Sequence, residues 1–279
     1  MRRIAMPSFA VLLALAALPV RAGIHYQATT TPEGPGDPEA TSVEAWVEGA
    51  KAKIVFRESG APVLEAGQYL LTTDGGKTLF LVDPEEETYA EWNLEAMLQA
   101  IGAVMQGMQP LLNLSIDDVE VEKLADEPGG ELLGLPVTHT RHRTSYAMNI
   151  KVLGMSRSNR VETVQDTWST AALEDVALGV WLRSAPATGF EDLDDLVQAE
   201  MGKVQGFPLK TVAVTTTTGQ KGKRESTTTT TTEVTLLETA VSVPDATFVI
   251  PEGYERVEIA PAEEGEEGNP LRGIFGGKG

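Results

Sequence analysis

The stretch "YLLTTDGGKTLFLVDPEEETYAEWN", Tyr69 to Asn93, decides how the rest of the chain is read. "YLLTT" runs into Asp74-Gly75-Gly76, a turn whose glycines accept positive φ. "KTLFLV" follows and stops at Asp83-Pro84, where the proline nitrogen has no hydrogen to give a ladder. "ETYAEW" then resumes the sheet. In the middle strand Leu79 and Leu81 fall on one face and Phe80 and Val82 on the other, so both faces are apolar. Such a strand needs material packed across the sheet.

The next segment, "NLEAMLQAIGAVMQGMQPLL", supplies a candidate. Asn93 can cap a helix and Pro110 can end one. Leu94, Met97, Leu98, Ile101, Val104, Met105 and Met108 recur at helical spacing. Methionines give that face an adaptable surface. A second, shorter helix is expected over "GFEDLDDLVQAEMGKV", with early acids that suit a helix start. Elsewhere strands are expected in "DDVEVEKLA", "PVTHTRHRTSYAMNIKVLG", "RVETVQDTWST" and "VALGVWL". "KTVAVTTTTGQKGKRESTTTTTTEVTLLE" reads as a Thr-rich hairpin, because β-branched Thr favours strands and pairs across them. "PDATFVIPEGYERVE" reads as a closing strand.

Outward from this core, the ends have a different character. Arg2 and Arg3, the apolar run Phe9 to Val20 and the small residues Val20 and Ala22 form a secretory signal peptide over 1–22. The apolar run is too short for a membrane span. Residues 258–279 are acidic and Gly-rich, a composition that resists folding. One domain over 23–257 remains, without an internal repeat. The expected address is a bacterial periplasm.

Composition narrows the function. There is no cysteine, which excludes disulfides, thiolate metal sites and a lipid-anchored N-terminal cysteine. The formal net charge of −19 opposes nucleic acid and anionic bilayers. Chemistry is scarce. Of the three histidines, His139 and His142 would face opposite sides of one strand and cannot chelate together. "GMSRSN" lacks the second glycine of a nucleophile elbow. Asp192, Asp194 and Asp195 lack the spacing of a calcium loop. No phosphate loop is present. The expectation is a protein without enzymatic activity and without cofactors.

The opening hairpin resembles the central hairpin of the LolA/LolB-like periplasmic lipoprotein carriers, in which a similar "DGKTLWFYDP" phrase turns one strand into the next. "TFVIPEGYERV" resembles that family's last strand. The order of Trp46–Lys53, Val82–Tyr89, Gly179–Pro186, Gly206–Thr211 and Phe248–Tyr254 is also similar to a group of secreted bacterial proteins classed as a domain of unknown function. The resemblance implies a mainly β fold: one curved antiparallel sheet, an incomplete β-barrel, with two helices on its concave side. It implies an apolar cavity, for which Leu79, Phe80, Leu81, Val82, Met97, Ile101, Met105 and Met108 are the candidate lining. The carriers' early "KRP…FRW" strand is replaced by "KAKIVFRESG", so only Arg57 stands near the position of their lid-holding Arg. The expected function is binding or chaperoning of an apolar ligand, a lipid or lipoprotein acyl chain. The alternative is a structural or protein-interaction module of the cell envelope.

Overall fold

The computed structural model describes residues 23–36, 39–60, 64–92, 112–152, 155–173, 194, 196, 203, 205–219 and 224–257. Among the described residues twelve strands form one open sheet. The first six are β1 (Gly23–Glu33), β2 (Thr41–Glu48), β3 (Lys51–Glu58), β4 (Tyr69–Thr72), β5 (Leu79–Asp83) and β6 (Thr88–Trp92). Five long strands follow: β7 (Leu112–Leu132), β8 (Leu135–Val152), β9 (Met155–Thr170), β10 (Phe207–Thr218) and β11 (Arg224–Val241). A two-residue strand, β12 (Glu255–Arg256), ends the order.

Across the sheet the order is β12-β6-β5-β4-β3-β2-β1-β11-β10-β9-β8-β7. From β1, in the middle of the sheet, the chain therefore meanders outward to β6. It reappears at the opposite edge as β7 and meanders back until β11 lies beside β1. Every neighbouring pair is antiparallel except β12 with β6, which are parallel. The expectation of a wholly antiparallel sheet is corrected there, because the chain reaches β6 from across the sheet rather than by a hairpin.

Local chemistry explains the turns. Gly75 and Gly76 take φ of 78° and 90°, as the opening hairpin requires. Asp74 fixes that turn by accepting from the Thr72 hydroxyl and the Thr78 amide, each at 3.0 Å. At the next turn Asp83 accepts from the amides of Glu85 and Glu86 at 2.9 and 3.2 Å. Between β7 and β8, Leu133 and Gly134 both have positive φ, 50° and 76°, which is the two-residue geometry matched to strand twist.

The Thr-rich segment forms the expected hairpin. Thr215, Thr216 and Thr211 pair with Thr228, Thr227 and Thr232. The closing segment differs from expectation. "DATF" is a 3-10 turn at Asp245–Phe248, and only Glu255–Arg256 is strand. Pro244 and Pro251 flank that turn and carry no N–H for a ladder. The first expected helix, with Met97, Ile101, Met105 and Met108, lies outside the described residues, as does "VALGVWL". In the second, Asp194 and Leu196 have helical backbone. Residues 1–22 and 258–279 also lie outside. Among the described residues no helix is long and apolar enough to cross a membrane.

Candidate functional site

Cross-strand partners share a face of a sheet, so the registers divide the molecule into two surfaces. One face of β1–β6 carries Trp46, Lys53, Val55, Tyr69, Leu71, Phe80, Val82 and Tyr89 in mutual register. The segment from Val241 to Tyr254 lies over it. Val243 and Phe248 complete a buried cluster with Val55, Tyr69, Leu71 and Val82, and Ile250 and Tyr254 pack at its margin. Lys51 bonds Asp245 at 2.6 Å and stands 5.6 Å from the Phe248 ring. This outer face is thus filled by the chain's own residues.

The opposite face carries Ile24, Tyr26, Ala45, Val47 and Ala52. Val137 from β8, Phe207 and Leu209 from β10, and Val234 from β11 join them in one buried cluster. Tyr26 and Phe207 meet edge to face at 5.5 Å although β11 runs between their strands. Contacts that reach across strands identify this as the inner face of a curved sheet. Burial there drives the Tyr26 hydroxyl pKa upward. Small side chains recur along it: Ala28, Ala45, Ala52 and Ala90 sit on β1, β2, β3 and β6.

The hairpin residues expected to line a cavity separate between these faces. Leu79 and Leu81 point inward, Leu79 buried and Leu81 half-buried; they share their face with Ala90. Phe80 and Val82 point outward. Val82 is completely enclosed beneath the closing segment, and Phe80 meets Tyr89 edge to face at 6.1 Å. Leu79 and Leu81 therefore join the inner face, and Phe80 and Val82 belong to the outer core. Met97, Ile101, Met105 and Met108 lie outside the described residues.

The outer face carries two constellations that sequence reasoning missed. His25 stacks on its cross-strand partner Trp46, ring centroids 5.1 Å apart. Its Nε2 lies 2.8 Å from Glu44 and its Nδ1 2.7 Å from Glu238. Glu44 also accepts from Arg57 Nε at 2.8 Å. Burial opposes charge on His25, but the bonds to Glu238 and Glu44 outweigh it and hold its pKa above the ordinary value. Burial likewise opposes charge on Glu44, yet Arg57 and His25 hold that carboxyl below the usual range.

The second constellation repeats the first. His139 stacks on its partner Trp168 at 4.7 Å, with Asp166 at 2.7 Å and Glu127 at 3.3 Å. Each spans three adjacent strands, β11-β1-β2 and β9-β8-β7. The only signal in the sequence was a His and a Trp each flanked by acids at strand spacing, "GIHYQ" with "EAWVE" and "THT" with "DTW". His142 lies on the inner face and is buried, opposite to His139. Lys53, over the Tyr69 ring at 4.0 Å, has its pKa lowered by burial and then by Arg57.

A cleft of about 460 Å³ opens beside the β7–β8 turn, lined by Pro128, Pro136, Val137 and Ala171 together with Asp126 and Glu127. It includes none of the hairpin residues. Among the described residues no three His, Asp or Glu side chains gather to hold a metal ion.

No protein-family model matches the chain, and no curated protein matches it. Among solved structures, a DUF1329 family protein from Desulfovibrio piger is similar at 11% identity and a TM-score of 0.30, over 83% of this chain and 91% of that one. PNGF-II is similar at 15% identity and a TM-score of 0.33, over 84% of this chain. The chain spans 31% of the length of PNGF-II. Likeness at this level assigns neither a fold family nor an activity, and a LolA-like architecture is not established by it.

Proposed function

We propose that the protein is a non-enzymatic periplasmic binding protein whose inner face receives an apolar ligand, a lipid or the acyl chains of a lipoprotein. One observation carries this reading: the two faces of β1–β6 are furnished differently. Outside, large side chains are sealed by the chain's own Val243 and Phe248. Inside, alanines on four strands stand beside Leu79, Leu81, Ile24 and Tyr26; Ala45, Ala52 and Ala90 are enclosed, and Ala28 and Leu81 are half-buried. Burying an acyl chain on such a face contributes about 0.8 kcal/mol per methylene. In this reading Leu79 and Leu81 are the lining residues of the opening hairpin. The LolA-like resemblance belongs to this proposal.

The alternative is an envelope interaction module with a filled core. It draws on Phe207 and Leu209, which already pack over Tyr26. Native mass spectrometry of protein purified gently from a periplasm, with organic extraction of bound material, separates the two. The carrier reading expects a co-purifying lipid that is lost in folded Leu81→Glu. A clean mass, with no uptake of added fatty acid or phospholipid, overturns it in favour of the interaction module.

A further inference from the structure

The inner face changes character where it passes onto the long strands. Thr140, Thr167, Thr211, Thr232, Thr30 and Thr41 are direct cross-strand neighbours, one on each of β8, β9, β10, β11, β1 and β2. They form a continuous hydroxyl row across half the sheet. Thr30 and Thr232 hydrogen-bond each other at 3.0 Å. The adjoining inner row on the apolar side holds Ala28 and Val234. On the other side a row carries His142, Gln165, Ala213 and Thr230, and the next carries Thr144, Thr163, Thr215 and Thr228. Thr163 and Thr215 bond at 3.0 Å.

From β8 to β2 these three rows contain no Asp, Glu, Lys or Arg; at the β7 edge Asp126 and Lys123 stand opposite Thr140 and His142 and pair with each other at 2.7 Å. On the outer face of the same strands charges are frequent: Arg141 pairs with Asp166, Arg143 with Glu122, Lys210 with Glu233. Hydroxyls stand on that face too, where Thr31 pairs with Thr231 and Thr216 with Thr227, so it is the lack of charge from β8 to β2 that sets the inner rows apart. Two inner-face atoms add a second, independent observation. Thr144 is 1% exposed, and among the described residues its Oγ1 has no hydrogen-bond partner. Asn159 Oδ1, on the same face of β9, is also enclosed without one. Buried polar groups are nearly always satisfied, so both atoms are exceptions on this face.

We propose that this hydroxyl field holds the uncharged, polyhydroxylated headgroup of an amphiphile, a glycolipid in chemical class, whose chains lie on the adjoining alanine floor. The inference rests on the carrier reading and specifies its ligand. Threonine hydroxyls donate and accept, which matches sugar hydroxyls. A phosphate or carboxylate headgroup would find no counter-charge in these rows from β8 to β2, since Lys123 at the β7 edge is already paired with Asp126, and desolvating it there is unfavourable. The chain's net charge of −19 adds to that bias.

The test compares three probes with one C12 chain, each below its micelle concentration: dodecyl maltoside, dodecylphosphocholine and dodecanoate. Binding is read by titration calorimetry on the full chain. The maltoside should bind about tenfold tighter than the other two, as one or two extra net hydrogen bonds imply. Thr167→Val/Thr211→Val should remove that preference and leave dodecanoate affinity unchanged. Thr167→Ser/Thr211→Ser, which restores the hydroxyls, should keep it. Circular dichroism and the melting temperature confirm folding of both variants. Equal affinity for the three probes, or a preference that survives the valines, overturns the headgroup inference and leaves the carrier reading standing. Uptake of none of them overturns both.

Discussion

From β2 to β6 no strand exceeds eight residues, whereas from β7 to β11 none is shorter than twelve. The short-stranded half carries a second layer, the Val241–Tyr254 segment, and its outer side chains are almost fully enclosed. In the long-stranded half the far ends of the strands lie beyond that cover, with Val214 and Val121 exposed. There, order rests on ladder hydrogen bonds, Thr pairs and cross-strand charges. The contrast separates two routes to a stable sheet. Where apolar area can be buried, strands can be short; where it cannot, length and β-propensity take its place.

This comparison can be broken by truncating one apolar side chain in each half. Leu71→Ala, beneath the closing segment, should cost about 3 kcal/mol in urea unfolding. Val214→Ala, on the open outer face of β10, should cost less than about 1 kcal/mol. Similar losses at the two positions would mean that the halves are packed alike.

A smaller effect tests the joint between the halves. His25 bridges β11 and β2 through Glu238 and Glu44. Its pKa is raised in the folded protein, so its contribution is fully present below the unfolded value of about 6.5 and is lost as pH rises through the folded value. Stability measured by chemical denaturation should therefore differ more between wild type and His25→Gln at pH 5.5 than at pH 8.5. A difference that does not change with pH would remove His25 from the joint. The smallest effect is expected at the β12 edge. Arg256→Ala breaks an exposed bond to Glu91 at 2.7 Å and should change stability by less than about 1 kcal/mol.

Much of the short half was legible in advance because its punctuation is local. Asp74-Gly75-Gly76 and Asp83-Pro84 encode their turns in adjacent residues, and β4, β5 and β6 fall between them. The Thr-rich hairpin was legible for the same reason. The neighbour of β5 across the sheet was not. The residues over Phe80 and Val82 come from Val243 and Phe248, far away in sequence, and the methionine segment to which helical spacing pointed lies outside the described residues. Nothing local distinguishes a strand that will be covered by a distant 3-10 turn. The His–Trp stacks were hidden likewise, since each is assembled by register between strands. Of the candidate site, the alternation of Leu79 and Leu81 against Phe80 and Val82 was readable; which side faced inward was set by the curl of the sheet.

The edge at β7 shows how length is kept from becoming a liability. A 21-residue edge strand offers a long row of unpaired backbone groups to other chains. Three register shifts against β8 interrupt it, at Asp117/Glu120, Lys123/Ala125 and Pro128/Glu131. Asp118, at φ 55°, lies within the first. Acidic side chains occupy much of the remainder, and bulges and charge together discourage pairing with another strand.

The placement of β1 in mid-sheet has a consequence in time. His25 and Glu238 are separated by 213 residues yet lie on neighbouring strands. β1 has its β2 neighbour early, but its β11 neighbour is made only about 200 residues later. Closing so long a loop precedes any reward from the contacts it permits, which slows folding. The β1–β11 pairing is therefore expected among the last events of folding. Until then β1 presents an unpaired edge, open to pairing with other strands.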